Sequence, residues 1–438
     1  MKTYYLESLG CPKNLVDSEI FARIMEEAGL TSSELPEDAD LILVNTCAFL
    51  RESLAEVDRV LSEMAELKED SSVQQLWVTG CIMNRAADEF KELFPEVDAW
   101  IGLKDFEDFA ARLHTKFSGP DKRLEVQGGY SHGYLRISDG CSNHCSYCTI
   151  PSIRGEHKSV PIEALVAEAR ALVKDSTRVV KELVLIAQDT CSYGLDIYGR
   201  KALPELLEQL HEIEGVEWIR VLYMHPDHFE TDWLPLWQRL PKLLPYFEIP
   251  IQHCCDDILK AMGRRKGEAE LRQLFADIRA ALPNAVFRTT LISGFPGETN
   301  AHHDRLKRFI KDIRFMYTGN FAYSREEGTP AEKMAKQVPI FTAETRRAQL
   351  MNLQERIFAD IIRKKEDTVE LVLVETEREE GEFELEPTGR TWFQAPEVDS
   401  TVWIENADVV QGQFVKVVIE SAIGYELFGS IEEDTDNE

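Results

Sequence analysis

Three cysteines lie close together near the middle of the chain, in the segment Cys141-Ser-Asn-His-Cys145-Ser-Tyr-Cys148. Thiolates at spacings of four and three residues can hold three irons of a 4Fe-4S cube and leave the fourth iron open. An open iron can bind the amino and carboxylate groups of S-adenosylmethionine and pass one electron to its sulfonium, which releases a 5′-deoxyadenosyl radical. The spacing therefore favours a radical-forming cluster.

A structural zinc ion is the alternative for the same three cysteines. Its fourth ligand would be His132, His144 or His157. A zinc site usually closes with a second Cys or His pair at fixed spacing, and that pair is missing from this part of the sequence. We therefore favour the cluster over the zinc ion.

Three further cysteines are far apart in sequence but share a local setting. Cys11, Cys47 and Cys81 each come directly after a short apolar run that predicts a strand. The carboxyl ends of parallel strands line one crevice, so these thiols can converge and hold a second 4Fe-4S cluster with an open iron. The alternative is three buried cysteines with no ligand role, because free Cys packs like a small hydrophobe.

Candidate contacts to S-adenosylmethionine lie beside the first three cysteines or at the ends of predicted strands. Tyr147 stands between two of the cysteines, Gln188 follows a second strand and Gly294 follows a fifth. Side-chain amides and backbone groups at such positions can bind a nucleoside or an amino-acid moiety. For Gly294 and Gly297, loop geometry alone is an equally good explanation.

Other chemically capable residues have weaker claims. The segments Tyr223-Met-His225 and Gln252-His253 end the third and fourth strands and could line the same pocket, although such histidines are more often structural. Cys191, Cys254 and Cys255 are predicted not to bind a cluster, because two adjacent thiols rarely point at one cluster and six better-placed thiols exist.

The elements that must position these residues form three parts, so the fold class is α/β with an all-β end. Residues 1–118 predict a parallel α/β domain of four strand–helix units. Residues 127–365 predict six strand–helix repeats, a partial TIM-type barrel with its chemistry at the carboxyl ends of the strands. Residues 367–434 predict five β runs in a small OB-like barrel.

Composition restricts the class of protein further. Nine cysteines, an odd number, occur in a chain of 438 residues that starts without a basic and apolar leader, which favours thiolate chemistry over disulfides and a cytoplasmic location. No apolar run is long enough to cross a membrane. The net charge of −29 would repel nucleic acid and favours basic partners, so tight nucleic-acid binding is not expected.

The motifs also carry a family resemblance. The segment from Gly140-Cys141 to Cys148, followed by Ile150-Pro151 and Arg154-Gly155, resembles the methylthiotransferases of the radical-SAM superfamily. So does Gly10-Cys11-Pro12-Lys13-Asn14 with Asp17-Ser18-Glu19. The resemblance covers essentially the whole chain in the family's order, which implies a methylthiotransferase domain, a radical-SAM barrel and a TRAM domain.

Within that family the sequence is similar to the branch that modifies a ribosomal protein. The segments Ile186–Thr190 with Tyr193-Gly194, and Ile249–His253, resemble that branch. The branch that modifies a tRNA adenosine typically has Cys-Gln-Met-Asn where this chain has Cys-Pro-Lys-Asn. Methylthiolation of tRNA by the same chemistry, and a non-catalytic iron-sulfur carrier, are the alternatives.

The resemblance implies a two-stage reaction on an aspartate of ribosomal protein S12 (uS12). One S-adenosylmethionine donates a methyl group to a sulfur at the N-terminal cluster, and another is cleaved at the barrel cluster. The adenosyl radical takes a hydrogen from the aspartate β-carbon, which no side-chain base can deprotonate at neutral pH. The expected partners are uS12, an electron donor such as flavodoxin, and a sulfur source.

Overall fold

The structure is a computed structural model. It describes the chain except for residues 71–72, 120–122, 127–129, 176–177, 379–385, 406 and 433–438. No helix of the described residues combines the length and the apolar character needed to span a membrane.

The N-terminal part is a five-stranded parallel sheet, in the order β2-β1-β3-β4-β5, with helices on both faces. Its strands are β1 Thr3–Ser8, β2 Thr31–Ser32, β3 Leu41–Thr46, β4 Gln75–Gly80 and β5 Ala99–Trp100. Its helices are α1 Pro12–Glu27, α2 Arg51–Asp70, α3 Ala87–Leu93 and α4 Phe106–Arg112.

The central strand β3 shows why the sequence forms this sheet. All six of its residues are buried, as expected for a strand covered on both faces. Leu41 and Leu43 belong to the apolar cluster that includes α1, whereas Ile42 and Val44 pack with α2. Because side chains alternate between faces, one continuous apolar run contacts both layers.

The central part is a six-stranded parallel half-barrel. Its strands are β6 His132–Arg136, β9 Glu182–Ile186, β10 Trp218–Val221, β11 Tyr246–Glu248, β12 Val286–Ser293 and β13 Tyr317–Ala322, and the short pair β7 Ser138–Asp139 and β8 Lys158–Ser159 stands beside them. Its helices are α5 Ile150–Arg154, α6 Ile162–Lys174, α7 Leu195–Tyr198, α8 Leu203–His211, α9 Leu234–Arg239, α10 Asp256–Ala261, α11 Glu268–Ala281, α12 Asn300–Ile313 and α13 Ile340–Ile362.

The six strands follow one another in sequence order around the half-barrel. Ladders join β6 to β9 to β10, and β11 to β12 to β13. The two halves are linked where the N–H of Ile219 donates to the carbonyl of Lys242 at 2.7 Å and that of Met224 to Glu248 at 3.0 Å. No ladder joins β6 to β13 within the described ranges, so the barrel is partial, as predicted.

Two strands end earlier than the apolar pattern predicts. The pattern indicates strands at 218–224 and 247–252, but β10 ends at Val221 and β11 at Glu248. Tyr223 and Gln252 have φ values of 58° and 67°, a left-handed conformation that a strand does not accept. Pro250 in addition has no N–H for a ladder.

The C-terminal part is a closed barrel in the order β14-β15-β16-β18-β17. Its strands are β14 Val369–Thr376, β15 Thr388–Thr391, β16 Val402–Glu405, β17 Phe414–Ile423 and β18 Glu426–Ile431. The predicted second strand at 382–386 lies almost wholly outside the described residues, and Thr388–Thr391 holds the second place in the barrel. The OB-like expectation for this part is confirmed.

This small barrel closes the amino-terminal end of the half-barrel. Arg390 forms an ion pair at 2.8 Å with Glu182, the first residue of β9. Asp399 accepts a hydrogen bond at 2.6 Å from Tyr246, the first residue of β11. Because the amino-terminal end is filled, the active site is expected at the carboxyl ends of the strands. The N-terminal part packs at that same end.

Candidate functional site

The loop with Cys141, Cys145 and Cys148 follows β7 and leads into α5. All three thiols are free. Gly140 allows the loop to begin, because its φ is +71° and a Cβ there would lie 2.2 Å from the carbonyl oxygen of Glu156. The three thiols therefore lie beyond the carboxyl end of the first barrel strand, as the strand pattern predicts.

Neighbouring elements hold this loop from two sides. Ser146 donates its hydroxyl to the carbonyl of Ala261 at 2.8 Å, at the end of α10. On the other side, the amide of Asn143 donates to the buried Asp189 carboxylate at 2.9 Å. The sequence places Asp189 in the segment Ile186–Thr190 but does not predict its contact with the cysteine loop, which the structure adds.

Burial makes Cys141 and Cys148 weaker acids than a free cysteine. Burial raises the pKa of Cys148 to about 12, and it also raises the pKa of Cys141, although the N–H of Asn143 donates to that sulfur at 3.4 Å. A metal ligand must be a thiolate, so binding of iron at these positions would release protons.

The candidate contacts to S-adenosylmethionine lie around this loop. The half-buried Tyr147 accepts a hydrogen bond at its hydroxyl from Arg264 at 2.9 Å. The side-chain amide of Gln188 donates to Asp139 at 3.1 Å, and its buried side-chain oxygen has no hydrogen bond. The N–H of Gly294 is bound by the Glu298 carboxylate. The assignment of Tyr147, Gln188 and Gly294 to the cofactor stays a prediction.

The three N-terminal cysteines also lie at the carboxyl ends of strands, after β1, β3 and β4. Cys11 directly precedes α1, and Cys81 is the first residue of a short 3-10 helix. A Cβ on Gly10 would lie 2.9 Å from the Cys47 sulfur, and one on Gly80 would lie 2.4 Å from the Thr46 carbonyl oxygen. The two glycines let the loops approach this closely.

Asn14 joins the three loops. Its amide donates to the carbonyl of Leu9 at 2.9 Å and to that of Thr46 at 2.8 Å. Its side-chain oxygen lies 3.6 Å from the Cys81 sulfur, which donates to it. The sequence analysis quoted Asn14 as part of a motif without a role, and the motif was the only signal that pointed to it.

The electrostatic settings of these thiols differ. Burial opposes ionisation of Cys11, but Lys13, Arg154 and two backbone N–H groups outweigh it and lower its pKa. Burial raises the pKa of Cys81 to about 12 and raises that of Cys47 as well. Cys11 is therefore the thiol of this trio that ionises most readily.

Arg154 connects the two cysteine trios. It follows the barrel cysteines in sequence, yet its guanidinium hydrogen-bonds the side-chain oxygen of Asn14 in the N-terminal part. It also pairs with Asp139 at 3.2 Å, and its positive charge opposes the rise in the pKa of Cys81. Thr149, directly after Cys148, donates its hydroxyl to the carbonyl of Phe49, two residues after Cys47, at 3.0 Å. The loops that carry the two trios therefore meet at one interface, in which Arg154 is almost fully buried.

The thiols of neither trio all lie as close together as the ligands of a single zinc ion. Tetrahedral thiolates around zinc lie about 3.8 Å apart, given Zn–S bonds of about 2.3 Å. Among the described residues, the sole group of three His, Cys or carboxylate ligands within 4.8 Å of one another is His253, Cys254 and Cys255. Both trios are wider than a single ion requires, and a cluster separates its thiolates further.

The three histidines considered as a fourth zinc ligand lie in other surroundings. His132 lies 3.9 Å from Glu375 and 3.8 Å from Glu397, at the boundary with the C-terminal barrel. His157 lies 3.1 Å from the hydroxyl of Ser159, and His144 is exposed. Neither His132 nor His157 is engaged with the three barrel cysteines.

Cys254 and Cys255, which are adjacent in sequence, lie against α12 of the half-barrel. The sulfurs of Cys254 and Cys255 are 4.0 Å apart, and that of Cys255 donates to the carbonyl of His302 on α12. Cys191 is fully buried. Their exclusion from the clusters stays a prediction.

Comparison with known proteins gives the family. Three family models match the chain: uncharacterized protein family UPF0004 at residues 3–102, the radical SAM superfamily at 135–310 and the TRAM domain at 368–431. The ribosomal protein uS12 methylthiotransferase RimO of Lachnoclostridium phytofermentans is 39% identical over 99% of this chain and all of its own length. That of Thermotoga maritima is 38% identical, over 97% of this chain and 99% of its own.

The chain belongs to the RimO family of methylthiotransferases. The resemblance and the enzyme class expected from the motifs are confirmed, and the iron-sulfur carrier alternative is set aside. The fold is also similar to TsrM from Kitasatospora setae, a radical S-adenosylmethionine methyltransferase solved with cobalamin and a [4Fe-4S] cluster bound. The TM-score is 0.55 at 13% identity, over 76% of this chain and 77% of that one, a likeness of fold alone.

Membership of the RimO family implies S-adenosylmethionine and 4Fe-4S clusters as cofactors. The donors of this chain fit them, because each trio offers three free thiols at strand ends and leaves a fourth iron position open. Backbone N–H groups beside Cys11 and Cys141 supply the hydrogen bonds that cluster sulfurs usually accept.

Proposed function

We propose that this RimO-family enzyme inserts a methylthio group at the β-carbon of an aspartate in ribosomal protein uS12. The observation that carries the proposal is the relationship to uS12 methylthiotransferases over the full length of both chains. The acidic charge of the chain suits a basic protein substrate better than tRNA.

We also assign the cluster ligands. The cluster that binds S-adenosylmethionine is held by Cys141, Cys145 and Cys148. The second cluster is held by Cys11, Cys47 and Cys81. When bound, these groups supply one electron to the sulfonium and a sulfur that can be methylated. The meeting of both trios at one buried interface supports this assignment, because the product needs both chemistries in one place.

The residues between the trios fix the distance between the two loops and keep water out. Arg154 and Asp17 each expose about 1% of their side chains, and they lie 3.5 Å apart. Arg136 from the barrel adds an ion pair with the same Asp17. A dry, rigid interface is what a radical on carbon requires, because it would otherwise react before sulfur transfer.

The reaction also needs partners from outside the chain. The one-electron step calls for a reduced donor, for which we propose a flavodoxin-type protein, and the inserted sulfur calls for a sulfur source. Because the substrate is a ribosomal protein, we place the enzyme in the cytoplasm. We divide the chain into functional domains at 1–118, 127–365 and 367–434, and no tight nucleic-acid binding is proposed.

Replacement of each trio by Ala tests the assignment. Loss of Cys141, Cys145 and Cys148 is expected to abolish cleavage of S-adenosylmethionine while about half of the iron remains. Loss of the N-terminal trio is expected to leave cleavage intact and to stop sulfur insertion. Iron counting and an assay for 5′-deoxyadenosine measure both effects.

A matched control removes three other buried thiols. The variant with Cys191, Cys254 and Cys255 replaced by Ala is expected to keep both clusters and both activities. Iron content that is unchanged in either trio variant, or reduced in the control, would show that the ligands are misassigned.

A further inference from the structure

Lys13 is a buried lysine that forms no ion pair with a carboxylate, although the Cys11 sulfur two residues away is the strongest anionic influence on it. It exposes 6% of its surface, and its ammonium makes neither a hydrogen bond nor an ion pair with any residue that the structure describes. Three cations at the same interface are paired: Arg136 with Asp17, and Arg154 and Lys104 with Asp139. The Lys13 ammonium therefore keeps hydrogen-bond donors that no carboxylate uses.

The position of this ammonium is well defined. Its nitrogen lies 3.3 Å from the centre of the Tyr223 ring, a close cation–π contact. Tyr223 is itself held by its backbone, because its N–H donates to Glu248 at 2.9 Å and its carbonyl accepts from the Thr190 hydroxyl at 3.2 Å. Lys13 is thus fixed over an aromatic ring with its N–H donors free.

The carboxylates nearest to Lys13 are already engaged. Glu248 accepts from the Tyr223 N–H and lies 3.6 Å from Arg288. Asp139 is shared by Arg154 and Lys104. The negative charges of Glu248 and Asp139 act on Lys13 from a distance, but neither carboxylate forms an ion pair with it. An anion that enters from outside would find an unused donor there.

The position of Lys13 in the fold indicates which anion it would bind. Lys13 is two residues from Cys11, and Tyr223 follows the carboxyl end of β10, so the ammonium lies between the N-terminal cysteine loops and the mouth of the half-barrel. A substrate side chain that lies between the two cysteine loops would be within reach of this ammonium. The carbon to be modified in an aspartate carries the side-chain carboxylate directly, so a grip on the carboxylate positions that carbon within one bond.

We propose that Lys13 binds the side-chain carboxylate of the substrate aspartate and thereby holds its β-carbon between the two trios. This inference rests on the proposed function. S-adenosylmethionine also has a carboxylate, and the experiment below separates the two sources.

The test is a double-mutant cycle between Lys13 and the substrate. Wild-type enzyme and Lys13→Gln, both with reconstituted clusters, are titrated with a peptide of the uS12 aspartate loop and with the same peptide carrying Asn in place of Asp. We expect Lys13→Gln to weaken binding of the Asp peptide by roughly 10- to 100-fold and to leave binding of the Asn peptide unchanged, because a charge-assisted hydrogen bond is lost only in the first case.

Two further measurements separate this role from others. Lys13→Gln is expected to retain its iron and to form 5′-deoxyadenosine at the wild-type rate without peptide. Lys260→Gln, an exposed lysine on α10, makes the same change of charge and is expected to bind both peptides like wild type.

Three results would overturn the inference. Equal effects of Lys13→Gln on both peptides would exclude recognition of the carboxylate. Slower cleavage of S-adenosylmethionine would assign Lys13 to that cofactor, and loss of iron would assign it to the cluster. If wild-type enzyme neither binds nor modifies the Asp peptide, the proposed function itself fails, which is a distinguishable outcome.

Discussion

Asn14 shows how much of the N-terminal site depends on one side chain. Its amide closes the loops after β1 and β3 with two buried hydrogen bonds, and its oxygen accepts from Cys81 and from Arg154 of the barrel. The cysteines themselves supply no such connection. Convergence of the three thiols therefore depends on a neutral residue that binds no metal.

We expect Asn14→Ala to separate the three cysteine loops. The change leaves two buried carbonyls without a donor, which costs roughly 2–5 kcal/mol in the free energy of unfolding. We expect the variant to lose the iron of the N-terminal cluster and to keep S-adenosylmethionine cleavage at the barrel. Iron counting and urea unfolding measure both effects, with Asn284→Ala at an exposed turn as the control. A variant with full iron content would contradict this role.

At the scale of elements, a buried ion network fixes the small barrel to the half-barrel. Glu375 on β14 pairs with Arg390 on β15, and Arg390 pairs with Glu182 at 2.8 Å. Glu182 in turn pairs at 2.6 Å with the fully buried Arg220. Burial disfavours the charge of Glu375, but Arg390 and His132 outweigh it and lower its pKa from 4.5 to about 2.

This shift predicts a pH dependence of stability. Because the pKa of Glu375 is lower in the folded state, its contribution is complete above pH 4.5 and is lost as the pH falls toward 2. At 1.36 kcal/mol per pKa unit the contribution is about 3 kcal/mol. We expect Glu375→Gln to be destabilised by about that amount at pH 7, and the difference from wild type to shrink below pH 4.5.

Urea unfolding of the two proteins as a function of pH measures this difference. Glu377→Gln, an exposed carboxylate just after the same strand, serves as the control and is expected to follow wild type at each pH. Parallel curves for wild type and Glu375→Gln would show that the buried pair contributes nothing that depends on charge.

The sequence predicts the elements better than it predicts their ends and contacts. Apolar runs locate β3 and β4 and all six half-barrel strands, because burial on both faces leaves a strong pattern. The edge strand Thr31–Ser32 has two residues, too few for any periodicity. Contacts such as Arg154 with Asn14 join positions 140 residues apart, and no local pattern reports them.

At the scale of the whole molecule, charge separates the C-terminal barrel from the rest. Residues 366–438 contain 21 acidic residues against three basic ones, a net charge of −18. Glu405, Asp408 and Glu420 are exposed there. Glu405 is in register with Ser430, whose hydroxyl donates to Glu420 at 2.5 Å, so both carboxylates lie at one place on the barrel. Such a surface repels phosphate and attracts a basic protein.

Reversal of this charge is expected to weaken substrate binding. The variant with Glu405, Asp408 and Glu420 changed to Lys is expected to bind uS12 about tenfold more weakly at low salt, with a shallower salt dependence. Cleavage of S-adenosylmethionine without uS12 is expected to be unchanged. The control changes Glu66, Glu69 and Glu92 of the N-terminal part to Lys, and binding that weakens equally in both variants would exclude a specific role for the barrel.

The central claim is that the enzyme modifies an aspartate of uS12, and one mass spectrum tests it directly. Purified enzyme with reconstituted clusters is incubated with S-adenosylmethionine, a reductant, sulfide, and a mixture of uS12 and tRNA. The account predicts that uS12 gains one methylthio group in place of one hydrogen at the aspartate, and that tRNA is unchanged. A methylthiolated tRNA beside unmodified uS12 would contradict it.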